Sequence, residues 1–292
     1  MTTSHEELIL ISGTSTGMGA AAARELARRG FHVLAGVRRE ADADALRAPG
    51  LEPVLLDITD PAQIEAVAHR ITTDPAQRPL RAVINNAGTA INAPVELLSM
   101  DEWRRQFDVN FFGHVAVTKA VLPALHASSG RVVNISSIGG KVVLPTYGAY
   151  GGAKFALEAM SDALRRELAP HGVQVVVVEP GGVRTEMTGH GITRANATIA
   201  AMSPAERGRY GGLLQAIINQ ATAFTASGLP AEAAGRIIAD AATVRRPRTR
   251  YTVGRDAAVL TRLPRLLPDR ILDRVLAADL RPHFPKNYPA TA

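Results

Sequence analysis

The chain contains no cysteine, which excludes disulfide bonds and thiolate metal ligation, and no metal site is expected. It also lacks a long apolar run. Residues 1–7 are polar, and the apolar segment at 8–12 is too short for the core of a signal peptide or a membrane span. A cytoplasmic protein without a transmembrane segment is therefore expected. Aromatic residues make up only 4% of the chain and are not interleaved with arginines, and no helix-turn-helix pattern is present. The net charge of +6 and the pI near 10.0 thus give no reason to expect nucleic acid as a partner, since scattered charge sets a pI equally well. Internal repeats beyond an α/β alternation and low-complexity tracts are missing too.

What is present is a chain of 292 residues, 46% of them apolar, enough for a large core and consistent with one α/β domain plus an extension. Apolar strand-like segments fall near 8–12, 32–37, 53–57, 81–85, 131–136, 173–179 and 249–254, separated by helical patterns. Such alternation predicts a doubly wound parallel sheet of about seven strands with helices on both faces. The segment VQVVVVEP at 173–180 is apolar without alternation, as in a strand buried on both sides. Ligands of such sheets bind beyond the carboxyl ends of the strands, where strand order reverses.

The residues with the most chemical content are Tyr150 and Lys154. Positions i and i+4 share a helix face, so the phenol and the ammonium are expected to serve one site. A nearby cation is expected to lower the tyrosine pKa toward a range useful for donating or accepting a proton. Ser137 lies thirteen residues before the tyrosine and Asn110 lies further upstream. Tyr147 is also near, but it has no lysine four residues on and is read as a pocket wall. At the other end of the chain LILIS is followed by GTSTGMG at 13–19 and then by a helical pattern. Strand, glycine turn and helix in that order set backbone N–H groups and a helix N-terminus against a pyrophosphate.

Taken together, these motifs resemble the short-chain dehydrogenase/reductase family over roughly residues 7–255. The family's T-G-x-x-x-G-x-G turn is matched by Ser12–Gly19, with serine in place of threonine. Its acidic residue after the third strand is matched by Asp57, and its N-N-A-G by Asn85, Asn86, Ala87 and Gly88. Asn110, Ser137, Tyr150 and Lys154 match its catalytic tetrad, Pro180 and Gly181 its P-G turn, and Thr185 its contact to the nicotinamide amide. The resemblance implies a Rossmann-like fold, with cofactor contacts at Gly13, Ser15, Gly17, Met18, Gly19, Arg38, Asp57, Asn86, Ala87, Gly88, Tyr150, Lys154, Pro180, Gly181, Val183 and Thr185. It divides the chain into a single dinucleotide-binding and catalytic domain at 1–255, with a variable substrate lid at about 186–229, and a C-terminal extension at 256–292. One departure is the GGA between Tyr150 and Lys154, since glycine weakens helix.

The second strand ends in Val37 and is followed by Arg38 and Arg39, with no carboxylate to exclude a 2′-phosphate. NADP(H) is therefore preferred, NAD(H) being the alternative, and Arg39 is read as surface charge. Hydride exchange with a ketone, aldehyde or alcohol is the implied reaction, on a hydrophobic substrate of steroid, retinoid or polyketide kind. Met187, Met202, Leu213, Leu214, Ile217, Ile218 and Phe224 either line its pocket or pack the lid onto the body. Leu263, Leu266, Leu267, Ile271, Leu272, Val275 and Leu276 form one face of a short helix interrupted at Pro264 and Pro268. That helix docks on the body or on a second subunit, with peripheral membrane contact as the alternative, and a homodimer or homotetramer is expected. The competing readings are an isomerase or dehydratase on the same fold and a cofactor-binding regulator without activity.

Overall fold

The structure is a computed structural model, and it describes residues 6–286. The end of the C-terminal extension, 287–292, and the first five residues of the polar N-terminus lie outside the described residues. Nine strands are formed among the described residues: β1 (Leu8–Ser12), β2 (His32–Val37), β3 (Leu51–Leu55), β4 (Leu80–Asn85), β5 (Arg131–Ile135), β6 (Gln174–Pro180), β7 (Val183–Arg184), β8 (Leu229–Pro230) and β9 (Arg250–Val253). Seven of them make one sheet in the order β3-β2-β1-β4-β5-β6-β9, and every pairing in it is parallel. Strand order therefore reverses between β1 and β4, which opens a crevice at their carboxyl ends.

The helices up to residue 243 are α1 (Gly17–Arg28), α2 (Glu40–Asp44), α3 (Pro61–Thr72), α4 (Met100–Phe107), α5 (Gly113–Ser128), α6 (Gly148–Leu168), α7 (Glu186–Ala201), α8 (Pro204–Glu206), α9 (Gly212–Ala226) and α10 (Ala231–Thr243), of which α1, α3, α5 and α10 supply most of the cover of the sheet. Two apolar layers result, one on each face. Ile9, Ile11, Ala35, Ile84 and Val176 pack under Ala22, Leu26, Ile238 and Ala242 of α1 and α10. Leu8, Leu10, Val83 and Val132 pack under Ile64, Val67, Val117 and Val121 of α3 and α5. Alternate strand residues thus feed opposite layers, and the continuous apolar runs follow from burial on both sides.

The third strand sits two residues earlier than its expected position at 53–57. Its register is set by pairing Val33 with Leu51 and Val37 with Leu55. Pro53 is tolerated because β3 is an edge strand, and Asp57 falls in the turn beyond it.

Between β7 and β8, which pair with each other, the segment expected to form a lid folds as α7, α8, a π turn at Arg207–Gly211 and α9. The C-terminal segment then adds α11 (Arg255–Leu260), α12 (Leu263–Leu266) and α13 (Asp269–Leu280). Its leucines do not form one face. Pro268 ends one helical phase and caps the next, so Leu280 turns inward against Ala216 and Ile217 of α9 while Leu266, Ile271 and Val275 are exposed. Gln220 Nε2 donates to Asp279 Oδ2 at 2.6 Å and Asn219 Nδ2 to the His283 carbonyl at 2.9 Å, fixing this segment to the lid.

Candidate active site

The glycine turn is built by two left-handed residues, Gly13 (φ 71°) and Gly17 (φ 60°), a conformation other residues rarely adopt. Thr14 pins it to the end of β2, its N–H and Oγ1 both donating to the Gly36 carbonyl at 2.9 and 3.1 Å. The N-N-A-G segment clamps it from the other side. Asn86 Nδ2 donates to the carbonyls of Ser12 and Gly13 at 3.0 and 2.9 Å, and Ser12 Oγ accepts from the N–H groups of Asn86 and Ala87, both at 3.1 Å. A Cβ at Gly13 would lie 2.7 Å from Ala87 Cα, one at Gly19 would collide with the Gly13 carbonyl and the Asn86 amide, and one at Gly17 would lie 3.3 Å from Thr185 Cγ2. Side-chain-free backbone therefore forms this part of the crevice at the N-terminus of α1, with the Asn86 amide and the Thr185 methyl packed close against it. That is a surface a pyrophosphate fits.

The remaining cofactor candidates lie at the carboxyl ends of neighbouring strands. Arg38 follows β2 and is exposed, with no hydrogen bond or ion pair from its side chain among the described residues, whereas Arg39 is paired with Asp42 at 2.8 Å. Asp57 Oδ1 is occupied by the N–H and Oγ1 of Thr59 at 2.9 and 2.7 Å, which holds its turn. Ser15 is exposed at the rim. Met18 and Val183 pack into the core layer, so Val183 can meet a ligand only through its main chain. Pro180 ends β6, Gly181 follows it, and Thr185 precedes α7 with its hydroxyl unused as a cap.

Tyr150 and Lys154 both lie on α6, which runs unbroken through Gly151 and Gly152. The register questioned by the two glycines is therefore helical, and Gly151 has a packing reason. A Cβ there would sit 2.7 Å from Val143 Cγ2. Lys154 is buried and its Nζ donates to the Ile135 carbonyl at 2.8 Å, at the end of β5. It stands 5.9 Å from the Tyr150 ring centroid. Ser137 Oγ accepts from the Gly139 N–H at 3.0 Å, which leaves its own proton free to donate. The Tyr147 ring meets Tyr150 edge-on at 6.2 Å and, like Leu144, Leu213 and Phe284, packs against the buried cluster of Ala216, Ile217 and Leu280. Burial, with the neighbouring phenol, pushes Tyr147 up to about 12.

The electrostatics differ from the expectation in one respect. Burial raises the Tyr150 pKa, and a hydrogen bond with Ser137 opposes the rise; the lysine does not produce a net lowering. Desolvation of the phenolate outweighs a cation whose nearest partner is a carbonyl. Lys154 itself is pushed down to about 8 by burial, with Glu158 acting against the fall.

Asn110 lies in a π turn, Asp108–Phe112, between α4 and α5. Its side chain is spent on Thr89, accepting from the N–H at 2.9 Å and donating to the carbonyl at 2.7 Å. Asn85, by contrast, belongs to a buried polar chain, donating to Thr118 Oγ1 and Asn134 Oδ1 at 2.8 Å. Two residues escaped the sequence reading. His114, four positions after Asn110, is fully buried and held near pKa 3 by burial and the Lys154 charge. Its Nε2 lies 2.7 Å from the Ala87 carbonyl; a carbonyl only accepts, so this nitrogen carries the proton. Glu158, four positions after Lys154, continues the spacing of the pair and was legible in principle.

Comparison with known proteins identifies the family. The family model for short chain dehydrogenases matches residues 7–195. Retinol dehydrogenase 5 of Mus musculus is 38% identical, over 93% of this chain and 88% of its own length. An NADPH-dependent 3-dehydrocapnine reductase of Ornithobacterium rhinotracheale is 31% identical, over 93% of this chain and 96% of its own. Among solved structures, a short chain dehydrogenase from Burkholderia cenocepacia in complex with NADP superposes with a TM-score of 0.70 at 26% identity, covering 96% of this chain and 99% of that one. The fold and the crevice define a dinucleotide-dependent oxidoreductase. The chain belongs to the short-chain dehydrogenase/reductase family.

Proposed function

We propose that the protein is an NADP(H)-preferring enzyme interconverting a hydrophobic ketone or aldehyde and its alcohol, with Tyr150 as general acid and base. The observation that carries this reading is the meeting of Ser137, Tyr150 and Lys154 at the carboxyl end of β5, with a glycine turn at the same edge of the sheet. Bound NADP(H) supplies or accepts the hydride. In reduction Tyr150 gives its proton to the substrate oxygen, and Ser137, its Oγ already held by Gly139, donates a hydrogen bond to the same oxygen as negative charge grows there. Lys154, charged through most of the neutral range, stabilises the phenolate that remains and holds the nicotinamide ribose. With its side chain committed to Thr89, Asn110 positions a water toward Lys154 only through its main chain, which the π turn takes out of the regular ladder.

Arg38 is the group for the 2′-phosphate, since among the described residues Arg39 is the one of the two in direct ion-pair contact with Asp42. The apolar side of the site is Leu144, Tyr147, Leu213 and Ile217, with Phe284 from the C-terminal extension behind them, and Met187, whose Cε would lie 3.7 Å from a Cβ on Gly88. Met202, Leu214 and Ile218 instead hold the lid together with Ala195 and Ile199, and Phe224 packs on Gly182. Residues 1–255 then act as the catalytic domain, with the lid at 186–229 choosing the substrate and the extension backing it; we take the working enzyme to be a homodimer or homotetramer. The test is oxidation of NADPH and NADH at 340 nm against a panel of hydrophobic ketones, beside Tyr150→Phe. A general acid contributes about 10²–10⁴-fold, so a variant that keeps wild-type turnover on a good substrate rules out the role of Tyr150.

A further inference from the structure

Tyr150 and Lys154 are the first two members of a longer series, for Glu158 and Asp162 follow at the same four-residue spacing along α6. All four share a stripe of the helix. Glu158 is 5% exposed and is held from two directions. Lys141, in the turn that follows Ser137, places Nζ 2.6 Å from Glu158 Oε2, and Arg250 of β9 places Nη2 3.0 Å from the same oxygen. Arg250 also reaches Asp162 Oδ1 at 2.9 Å and Glu179 Oε1 at 3.3 Å, the latter lying 3.6 Å from Lys141 Nζ. Two cations thus join carboxylates of α6 to the end of β6, directly beneath the turn that carries Ser137. The other Glu158 oxygen, Oε1, is buried with no hydrogen-bond partner. A Cβ at Gly140 would lie 3.1 Å from Glu158 Cγ and 3.2 Å from the Lys154 carbonyl, so the turn packs tightly onto this part of the helix.

We propose that Glu158 is a positioning residue for the reaction: clamped by Lys141 and Arg250 one helical turn behind Lys154, it keeps the buried Lys154 ammonium charged. The inference rests on the reading that Lys154 belongs to the tetrad. Lys154 has a neutral hydrogen-bond partner, the Ile135 carbonyl, and burial works against its charge. The titratable groups facing it are Tyr150 and Glu158 on its own helix and His114 on α5. Burial raises the Tyr150 pKa and lowers that of His114, so both favour their neutral forms, and Glu158 is the carboxylate among the three. Beyond Glu158 lie Lys141, Arg250, Glu179 and Asp162. Lys141 and Arg250 are both ion-paired with Glu158, at 2.6 and 3.0 Å.

The test reads Lys154 directly. The chain has four lysines, so full-length protein labelled with [ε-13C]lysine gives a spectrum in which Lys154 is assigned by its loss in Lys154→Met. In Glu158→Gln the Lys154 midpoint is expected to fall by on the order of one pH unit, the effect of removing one opposite charge a helical turn away. In Lys141→Met, which removes a like charge and leaves Glu158 paired with Arg250, it is expected to rise. Opposite signs are what a merely structural role does not produce. The alkaline limb of the reduction rate should move with the Lys154 midpoint in both variants. If the midpoint moves and the rate does not, the coupling stands and the assignment of Lys154 to the tetrad fails. An unchanged Lys154 midpoint in folded Glu158→Gln overturns the proposal; should that variant not fold, an unchanged midpoint in Lys141→Met does so.

Discussion

The two glycines between Tyr150 and Lys154 are expected to respond differently to alanine. Either substitution removes a glycine from a helix, a gain of about 1 kcal/mol. At Gly152 nothing opposes that gain, because the new methyl would lie 3.4 Å from Phe107 Cζ, an ordinary contact. Gly152→Ala should therefore be more stable by about 1 kcal/mol. At Gly151 the methyl would lie 2.7 and 3.1 Å from the two Val143 methyls and 3.3 Å from the Gly139 carbonyl. Valine has no flexible end to swing away, and the carbonyl belongs to the turn behind Ser137. Overpacking of this kind costs about 1–3 kcal/mol, so Gly151→Ala should be no more stable than the parent and up to about 2 kcal/mol less stable. Urea denaturation of the three proteins measures the difference directly. Turnover adds a second readout, since displacement of Val143 and Gly139 moves the Ser137 turn against Tyr150, and kcat should fall in Gly151→Ala alone. Equal stability of the two variants would refute the packing argument and with it the close approach of 142–144 to α6.

Arg38→Asp should shift coenzyme preference from NADPH toward NADH, read as the ratio of kcat/KM values; an unchanged ratio removes Arg38 from the phosphate site. Ser12→Ala leaves the Asn86 and Ala87 N–H groups without their acceptor and should cost about 1–3 kcal/mol, while Ser12→Thr, which restores the family's residue and keeps the hydroxyl, should cost much less in a thermal melt. Hydrogen bonds from Arg78 and Arg70 hold the Asp74 carboxyl well below the usual carboxylate range. Its contribution is complete above the unfolded carboxylate pKa and is lost as pH falls through the lower folded value, so Asp74→Asn should be destabilised at pH 7, with the gap to the parent closing progressively below about pH 4.

The parts of this molecule that are legible in its sequence are those where one residue type has one use. Apolar runs without alternation mark β1, β2 and β6 because burial on both faces leaves no place for a polar side chain. Gly13 and Gly17 mark the turn because only glycine adopts its backbone without strain. The less legible parts depend on distances across the fold. The position of β3 is decided by pairing with β2, and Pro53 disguises it. Met202, Leu214 and Ile218 cannot be told from pocket residues by spacing, since a lid core and a pocket wall have the same periodicity. Glu158, read singly, is one more carboxylate on a helix; its burial comes from Lys141 and Arg250, 17 and 92 residues away. The sign of the Tyr150 shift is hidden for the same reason, because spacing fixes the neighbour but not the loss of water.

That sign bears on how the site would work. A phenol acting as general acid must hold its proton until the substrate oxygen takes up charge, and burial, by disfavouring the phenolate, keeps Tyr150 loaded at neutral pH. The same burial opposes the reverse reaction, which needs the phenolate before a proton can be taken from an alcohol. Within the chain the group placed to offset this is Lys154, whose own charge burial works against. The Glu158 clamp therefore has more consequence for oxidation than for reduction. On that proposal it extends upward the pH at which an ammonium is still present beside Tyr150.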